Sequence, residues 1–355
     1  MTAHDDQRVE PPAELAAIAA RVQIRLGEIL AAERQEWAAL DPSLDEPLGD
    51  LADMVLGGGK RIRPAYCHWG WLAAGGDPSG DGALDGGCAL EILHAFALAH
   101  DDVMDGSVTR RGAPTVWSKF VQRHRDRAWR GEDRRFGEAA AVLVGDMAMV
   151  LADRTLGRVS QEARDVWDGL RTELNMGQYL DVVGGARGRA TADEARRIIE
   201  HKTARYTVVR PLQLGAALAG RADLAEPLAG HGRPVGLAFQ LRDDVLGAFG
   251  DPAATGKPVG DDLREGKPTV LMALARDAAT PVQLKVLDAV GAELDDQTVA
   301  EVQQVIVDTG ALAGLESEIA ALLDEALAAL DALPDVPAAQ DALAATARFI
   351  ALRQA

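Results

Sequence analysis

Aromatic residues and cysteine are scarce in this chain of 355 residues. Phe, Trp and Tyr together make up 4% of it, and there are two cysteines, Cys67 and Cys88. Two cysteines in so long a chain do not form a disulfide framework, so we expect reduced thiols buried in helices. No run of about 18 apolar residues is free of charge, which predicts that no transmembrane segment is present. Residues 1–12 are polar and acidic, unlike a signal peptide, so we expect a soluble, cytoplasmic protein.

Basic residues are also few compared with acidic residues. The chain has 37 Lys and Arg against 55 Asp and Glu, a formal net charge of −18. This balance argues against nucleic acid as a partner and against attachment to an anionic membrane through basic patches. It would also repel a polyanionic substrate, so binding of such a substrate requires local cations or a metal ion.

Alternating strand patterns are hard to find, whereas apolar residues recur at helical spacing along most of the chain. This pattern predicts an all-α protein with ten or more helices. We expect residues 1–13 to be disordered and 14–355 to form a single helical domain. Pro211 lies inside a helical pattern and should kink or break it. Two segments are expected to be loops: the glycine-rich 75–87 and the basic 123–135.

The most informative segment is LAHDDVMDGSVTRRG at 98–112. Asp101, Asp102 and Asp105 stand at positions i, i+1 and i+4, so Asp101 and Asp105 share one helix face. Carboxylates this close repel one another unless a cation joins them, and Mg²⁺ suits a few carboxylates combined with phosphate oxygens. Arg110 and Arg111 follow, and arginine binds phosphate well. The segment therefore predicts a metal and polyphosphate site.

A second acidic segment repeats this chemistry at 239–269. Asp243 and Asp244 form an acidic pair, and Asp261, Asp262, Lys257 and Lys267 follow closely. One such segment is often only a solvated helix face. Two segments, each preceded by an apolar helical run and followed by cations, favour a shared function.

A third segment, GGGKRIRP at 57–64, predicts an anion site without metal. Its glycines permit close backbone approach, and Lys60 and Arg63 supply charge. The spacing is not that of a Walker A motif, so ATP is not implied. His94 lies seven residues before Asp101, two helical turns away on the same face.

Taken in order, these segments resemble those of the trans-polyprenyl diphosphate synthases, which join isoprenyl units head to tail. DDVMD at 101–105 and DDVLG at 243–247 resemble the two Asp-rich motifs of that family, with Gly247 in place of the final Asp of the second. GGGKRIRP resembles the isopentenyl diphosphate loop. Three further blocks are similar as well, VLVGDMA at 142–148, GQYLD at 177–181 and HKTARY at 201–206.

The resemblance implies an all-α, class I isoprenoid synthase fold, with the helices around a central cavity, and a homodimer. It implies three Mg²⁺ ions bound by Asp101, Asp105 and Asp243, with Asp102 and Asp244 in supporting roles. The positions implied for the allylic diphosphate are Arg110, Lys202, Thr203, Gln240, Lys257 and Lys267. Those implied for isopentenyl diphosphate are Lys60, Arg63, His94 and Arg111. Gln178 and Asp181 are implied to orient Lys202 or to stabilise charge.

The implied reaction is ionisation of an allylic diphosphate, attack by the double bond of isopentenyl diphosphate, and loss of a proton. Phe96 and Ala97, five and four residues before Asp101, are expected to limit product length. An aromatic residue at the fifth position alone resembles the pattern of geranylgeranyl diphosphate synthases, with farnesyl diphosphate as the alternative product. A class I terpene cyclase and a non-catalytic synthase subunit remain open. Gly247 is expected to have little consequence, because the implied metal ligand of its motif is Asp243.

Overall fold

The computed structural model describes residues 11–110, 112–187, 190–250, 260–291 and 294–353. Helices account for 81% of the chain, which confirms the predicted all-α class. One short antiparallel strand pair, β1 (Thr109–Arg110) and β2 (Ala113–Pro114), places Thr109 opposite Pro114. Its position directly after the first acidic motif matters for the site described below.

The contacts group the chain into two compact units, each considered by itself. The N-terminal unit comprises Ala13–Arg164 and Leu214–Arg221, and the C-terminal unit comprises Asp165–Gln213 and Ala222–Ala355. The α-helices along the chain are α1 (Ala13–Leu40), α2 (Asp45–Leu56), α3 (Ile62–Ala73), α4 (Asp81–Met104), α5 (Val116–Asp126), α6 (Asp133–Leu156), α7 (Gln161–Arg187), α8 (Ala192–Ile199), α9 (Arg210–Leu218), α10 (Ala225–Phe249), α11 (Asp261–Glu265), α12 (Val270–Ala278), α13 (Pro281–Leu287), α14 (Asp296–Asp308), α15 (Ala311–Ala328) and α16 (Pro337–Leu352). A π-helix, Glu200–Val209, joins α8 to α9, and short 3₁₀ turns cover Pro42–Leu44, Ala222–Leu224 and Ala329–Ala332.

Helix α4 is the core of the N-terminal unit. It packs against α3 and α6, and small residues allow the close approach. A Cβ atom on Gly87 would lie 3.0 Å from Cβ of Pro64. Among the described helices, α4 alone is long and apolar enough to cross a membrane, yet 67% of its apolar window is buried within the protein. Core packing therefore accounts for its composition, and length and composition alone are weak evidence for a membrane span.

Helix α10 has the corresponding place in the C-terminal unit, where it packs against the π-helix, α15 and α16. Gly236 of α10 meets Ala204 of the π-helix so closely that a Cβ atom there would lie 2.5 Å from Cα of Ala204. Pro211, predicted to kink or break its helix, is the second residue of α9, directly after the π-helix. Proline lacks an amide N–H and crowds the carbonyl four residues earlier, so a change of helix type at this point has a physical cause.

Both expected loops are largely helical. Helix α4 begins at Asp81, so the glycine-rich loop is confined to 75–80. The basic segment lies mostly within α5 and α6, with a connection of only six residues, 127–132. Its arginines are not simply solvated, because Arg123 forms an ion pair with Asp50 of α2 and Arg127 with Glu46. Ion pairs with α2 therefore overrode the polar composition on which the loop prediction for 123–135 rested.

Both cysteines are free and buried, as the sequence predicted. Each is fully shielded from solvent, at 0% exposure. Burial raises the pKa of the Cys67 and Cys88 thiols to about 12, so both are protonated at neutral pH.

Candidate active site

The first acidic motif lies at the C-terminal end of α4. The partly exposed residues on the last three turns of this helix include His94, Ala97, Leu98 and Asp101, with Asp105 exposed beyond them. These positions share one face of the helix. The structure therefore brings the two candidate metal ligands Asp101 and Asp105 onto the same accessible stripe as the candidate substrate residue His94.

Arg110 of β1 turns back onto this motif. Its Nη2 donates to Oδ2 of Asp101 at 3.1 Å and its Nε donates to Oδ1 of Asp102 at 2.7 Å. Burial raises the pKa of Asp102 to about 6, although the charge of Arg110 opposes this shift. Asp102 is 1% exposed. Its carboxylate therefore holds the guanidinium of Arg110 in place and is not accessible to solvent. The neighbouring candidate Arg111 lies outside the described residues.

The loop GGGKRIRP is held by Arg61, a residue that the sequence analysis missed. Arg61 has a left-handed backbone (φ 50°) and is 6% exposed. Its guanidinium forms an ion pair with Glu91 of α4, and its Nη2 donates to Oε1 of Gln23 at 2.6 Å and to the carbonyl of Val55 at 2.7 Å. With Arg61 turned inward, Lys60 is exposed and Arg63 half-buried.

A sequence signal for this anchor does exist. Glu91 is the one acid in the run 88–100, whose other residues are apolar apart from His94 and His100. A carboxylate buried at that position requires a cationic partner. Arg61 therefore fixes the loop, while Lys60 and Arg63 remain the candidate anion-binding residues.

The second acidic motif ends α10 in the C-terminal unit. Asp243 forms an ion pair with Arg353, just beyond α16. Asp244 is 4% exposed, and its Oδ1 accepts a hydrogen bond of 3.0 Å from Nε2 of Gln240. Gln240 in turn accepts one of 3.1 Å from Oγ1 of Thr203. Burial raises the pKa of Asp244 to about 7, and the bond from Gln240 only partly offsets this.

The π-helix carries Lys202, whose Nζ donates to Oδ2 of Asp181 at 2.6 Å. The contact depends on Gly177 of α7, because a Cβ atom there would lie 2.7 Å from Cα of Lys202. Gln178 is next to this glycine and is half-buried. The blocks GQYLD and HKTARY, separated by about twenty residues in sequence, thus form one contact between α7 and the π-helix.

Lys267 follows α11 and pairs with Asp262 at 3.2 Å and Glu265 at 2.6 Å. Burial lowers the pKa of Lys267, but these two carboxylates raise it by more, so the ammonium stays charged. Candidate Lys257 lies outside the described residues. Gly247, expected to have little consequence, is a restricted position, because a Cβ atom there would lie 1.9 Å from Oδ2 of Asp262.

Comparison with known proteins decides the family. The model of the family described as "Polyprenyl synthetase" matches residues 45–309. The chain belongs to the polyprenyl synthetase family. It is a trans-prenyl diphosphate synthase, a prenyltransferase whose substrates are isoprenyl diphosphates. The resemblance in its motifs is confirmed, and the cyclase and non-catalytic alternatives are set aside.

Several relatives of this synthase are known. A farnesyl diphosphate synthase of Mycobacterium tuberculosis is 34% identical over 310 residues, which cover 84% of this chain and 80% of that protein. A geranylgeranyl diphosphate synthase of the same organism is 34% identical over 323 residues, covering 85% and 86%. A geranylgeranyl pyrophosphate synthase structure from Corynebacterium glutamicum, complexed with isoprenyl diphosphate and magnesium, has a TM-score of 0.88 and 40% identity, covering 96% and 99%.

Magnesium is used in this family, and the first motif of the synthase suits it. Asp101 and Asp105 present two carboxylates one turn apart, and the buried Oδ2 of Asp102 has no hydrogen-bond partner among the described residues. Those residues contain no group of three or more His, Cys, Asp or Glu side chains arranged around a metal position. Mg²⁺ needs no such cage, since it is commonly held by one or two carboxylates and by phosphate oxygens of the substrate.

The two candidate chain-length residues of the synthase differ in environment. Phe96 is 4% exposed, and its ring centroid lies 4.7 Å from that of His100. His100 in turn lies against Gly145 of α6, where a Cβ atom would be 2.3 Å from its ring. Ala97 is half-buried on the face that carries Asp101. His100 was not predicted, although its place directly before the acidic pair was a signal.

Proposed function

We propose that this synthase makes geranylgeranyl diphosphate from isopentenyl diphosphate and an allylic diphosphate. The observation that carries the proposal is the accessible stripe of α4. A small residue, Ala97, lies on the face of Asp101, while Phe96 is buried beside His100. Farnesyl diphosphate is the alternative, since relatives of similar identity are named for each product.

We assign the allylic diphosphate to Arg110, Lys202, Thr203, Gln240, Lys257 and Lys267. Among the described members, Arg110 and Lys202 are held in place by carboxylates, with Asp101 and Asp102 beside the first and Asp181 beside the second. Such fixed cations stabilise the negative charge that forms on the departing diphosphate. Gln178 is proposed to act with Asp181 in orienting Lys202.

We assign the isopentenyl diphosphate to Lys60, Arg63, His94 and Arg111. The described members belong to the N-terminal unit, and the anchoring of Arg61 supports the placement of the first two. The isopentenyl double bond attacks the allylic cation, a carbon–carbon bond forms, and the proton lost passes to the departed diphosphate. Apolar residues on the stripe, Ala97 and Leu98, exclude water from the cation.

We also propose three Mg²⁺ ions held by Asp101, Asp105 and Asp243, with Asp102 and Asp244 as supporting carboxylates. When bound, Mg²⁺ acts as a Lewis acid on the diphosphate oxygens. The half-buried positions of Asp101 and Asp243, which leave part of each carboxylate accessible, support this assignment. A cytoplasmic location is proposed from the polar, strongly acidic composition.

The experiment is incubation with Mg²⁺, isopentenyl diphosphate and dimethylallyl, geranyl or farnesyl diphosphate, followed by chromatography of the products. Asp101→Ala and Asp243→Ala should each lower turnover by about a hundredfold or more. Asp85→Ala of α4, whose carboxylate pairs with Arg25, and the exposed Asp308→Ala are the matched controls. Near-normal turnover in either test variant, with its circular dichroism unchanged, would refute the two-motif assignment.

A homodimer is proposed to form through α6. Three apolar side chains on its surface are exposed, Val142 at 39%, Leu143 at 62% and Val150 at 60%. Val142 and Leu143 are adjacent, and Val150 follows them by eight and seven residues, about two helical turns, so all three lie along one side of the helix. A second copy of this chain would bury them. Leu143→Glu should convert a dimer to a monomer in analytical ultracentrifugation, and a wild-type monomer would contradict the proposal.

A further inference from the structure

The hairpin of β1 and β2 carries Arg110 onto the first acidic motif, but its own strands are too short to fix it. Each strand has two residues, and Thr109 stands opposite Pro114, which has no amide hydrogen to donate. Thr109, Ala113 and Pro114 are all exposed. A strand pair of this size is marginal in water. The position of Arg110 therefore depends on contacts outside the hairpin.

Those contacts come from the start of α5. The hydroxyl of Thr115 and the indole N–H of Trp117 both donate to the carbonyl of Ser107, each at 2.8 Å. The amide of Thr115 and the hydroxyl of Ser118 both donate to the carbonyl of Val108, at 3.0 and 2.9 Å. The two residues that lead into β1 are thus held by four hydrogen bonds from α5.

Thr115 stands at the N-cap of α5 without capping the helix. A threonine at this position ordinarily accepts a hydrogen bond from an amide of the first helical turn. Within α5, all of which is described, no amide of that turn donates to the side chain of Thr115. The residue is 3% exposed, and its hydroxyl donates to Ser107 instead. This side chain therefore serves the hairpin and not the helix.

Trp117 belongs to a closely packed part of the N-terminal unit. It is 7% exposed, and a Cβ atom on Gly137 of α6 would lie 2.5 Å from its carbonyl oxygen. Helices α5 and α6 are therefore in close backbone contact at this point. The guanidinium carbon of Arg134 lies 5.7 Å from the centroid of the indole ring. The indole N–H that holds the hairpin is thus fixed by the packing of two helices.

The chain reaches Arg110 three residues after Ser107. The amide of Ser107 donates to the carbonyl of Asp102 at 3.0 Å, so this residue is tied to α4 as well as to α5. Arg110 then donates to Asp102 at 2.7 Å and to Asp101 at 3.1 Å. A displacement of the hairpin by about 1 Å would lengthen both bonds beyond the usual limit of about 3.2 Å.

We propose that Trp117 and Thr115 are positioning residues for Arg110. By holding the carbonyl of Ser107, they set the place at which the guanidinium of Arg110 meets a diphosphate. Both are buried, so they act through the hairpin and not by contact with the substrate. This inference rests on the proposed assignment of Arg110 to the allylic diphosphate.

Calorimetric titration of inorganic diphosphate at saturating Mg²⁺ tests the proposal, with the Michaelis constant for the allylic substrate as a second readout. Trp117→Phe keeps an aromatic ring and removes the N–H, and Thr115→Val removes the hydroxyl with little change of shape. Each should weaken diphosphate binding and raise that Michaelis constant by about fivefold, the effect of one lost hydrogen bond. Thr115→Ser keeps the hydroxyl and should stay within about twofold of wild type.

The matched control is Trp71→Phe. The indole N–H of Trp71 also donates to a loop carbonyl at 2.8 Å, that of Asp77, which lies before the start of α4 and not after its end. Trp71→Phe should bind diphosphate as the wild type does. A loss equal to that of Trp117→Phe would show a general effect of removing an indole N–H and would overturn the proposal.

A double-mutant cycle separates positioning from a general structural role. Arg110→Gln should by itself weaken Mg²⁺-dependent diphosphate binding by about tenfold or more. Because Trp117 acts through Arg110, adding Trp117→Phe to Arg110→Gln should change the affinity by less than about twofold. An equal fivefold loss in both backgrounds would contradict the proposal, and so would unchanged affinity in either Trp117→Phe or Thr115→Val.

Failure of the underlying assignment gives a different result. If Arg110→Gln binds diphosphate as the wild type does, the assignment of Arg110 fails and this inference fails with it. If Arg110→Gln is impaired while Trp117→Phe and Thr115→Val are not, the assignment stands and only this inference fails. Thermal melting of each variant shows that it is folded before its affinity is compared.

Discussion

The guanidinium of Arg353 forms an ion pair with the carboxylate of Asp243, the first aspartate of the second acidic motif. Arg353 is 7% exposed and its guanidinium carbon lies 4.5 Å from the ring centroid of Phe239. The sequence analysis did not connect these residues, which are 110 positions apart. A residue near the end of the described chain thus contacts a proposed metal ligand.

This contact leads to the first prediction. A fixed cation beside Asp243 opposes binding of Mg²⁺ to the same carboxylate. Arg353→Gln should therefore lower the Mg²⁺ concentration for half-maximal activity, by about two- to fivefold because the pair is partly screened by solvent. Arg242→Gln, which removes an arginine of α10 paired with Glu316, is the control. An increased Mg²⁺ requirement in Arg353→Gln would show instead that the arginine orients Asp243 for the metal.

The second prediction separates the two diphosphate sites. Lys60→Ala should raise the Michaelis constant for isopentenyl diphosphate by about tenfold, since a charged hydrogen bond is lost, and should leave that for the allylic substrate nearly unchanged. Lys202→Ala should have the opposite selectivity. Steady-state kinetics with each substrate varied in turn measures both, with the exposed Lys285→Ala of α13 as control. An equal rise for both substrates in Lys60→Ala would count against the assignment.

The third prediction concerns product length. Ala97→Phe places an aromatic ring on the face of Asp101 and should shorten the product. Phe96→Ala removes the ring packed on His100 and should lengthen it. Radiochromatography of the dephosphorylated products reports both changes, and thermal melting checks folding, because loss of a buried Phe destabilises by about 3–5 kcal/mol. Unchanged products from both folded variants would mean that other residues set the length.

The fourth prediction concerns stability against acid. His231 of α10 is 0% exposed, and its ring nitrogen Nδ1 donates to the carbonyl of Ala326 at 2.8 Å. Burial lowers the pKa of His231 below its ordinary value of 6.5, despite that hydrogen bond. Below pH 6.5 His231 is protonated in the unfolded chain but stays neutral in the folded protein until the pH reaches its lower folded pKa. The contribution of His231 to stability is therefore full above pH 6.5 and is lost as the pH falls towards its folded pKa.

Urea unfolding at pH 7.5, 6.5 and 5.5 measures this effect. The contribution of one such group approaches about 1.4 kcal/mol per pH unit. His231→Gln cannot titrate and should show a flatter loss of the free energy of unfolding between pH 6.5 and 5.5. Parallel curves for the two proteins would rule out His231 as the source.

The sequence by itself determined the fold class, the family and the candidate residues, because each depends on local order along the chain. Helical periodicity predicts helices, since side chains three and four residues apart share a face. The acidic motif at 101–105 could be recognised because Asp101 and Asp105 lie one turn apart within a single segment, and the one at 243–247 because it repeats an acidic pair followed by cations. The burial of Cys67 and Cys88 followed in the same way from the apolar pattern around them.

Contacts between distant segments were decided only by the tertiary structure. Arg61 was not singled out in the sequence, because its role as an anchor depends on Glu91, thirty residues later. Gly247 was expected to have little consequence, and nothing in the local sequence shows that the fold places Asp262 against it. The segment 123–135 was expected to be a solvated loop. The local sequence does not show that Arg123 forms an ion pair with Asp50 and Arg127 with Glu46. The partner of a side chain depends on how whole helices pack. The free energy of that packing is a sum over many residues that lie far apart in the sequence.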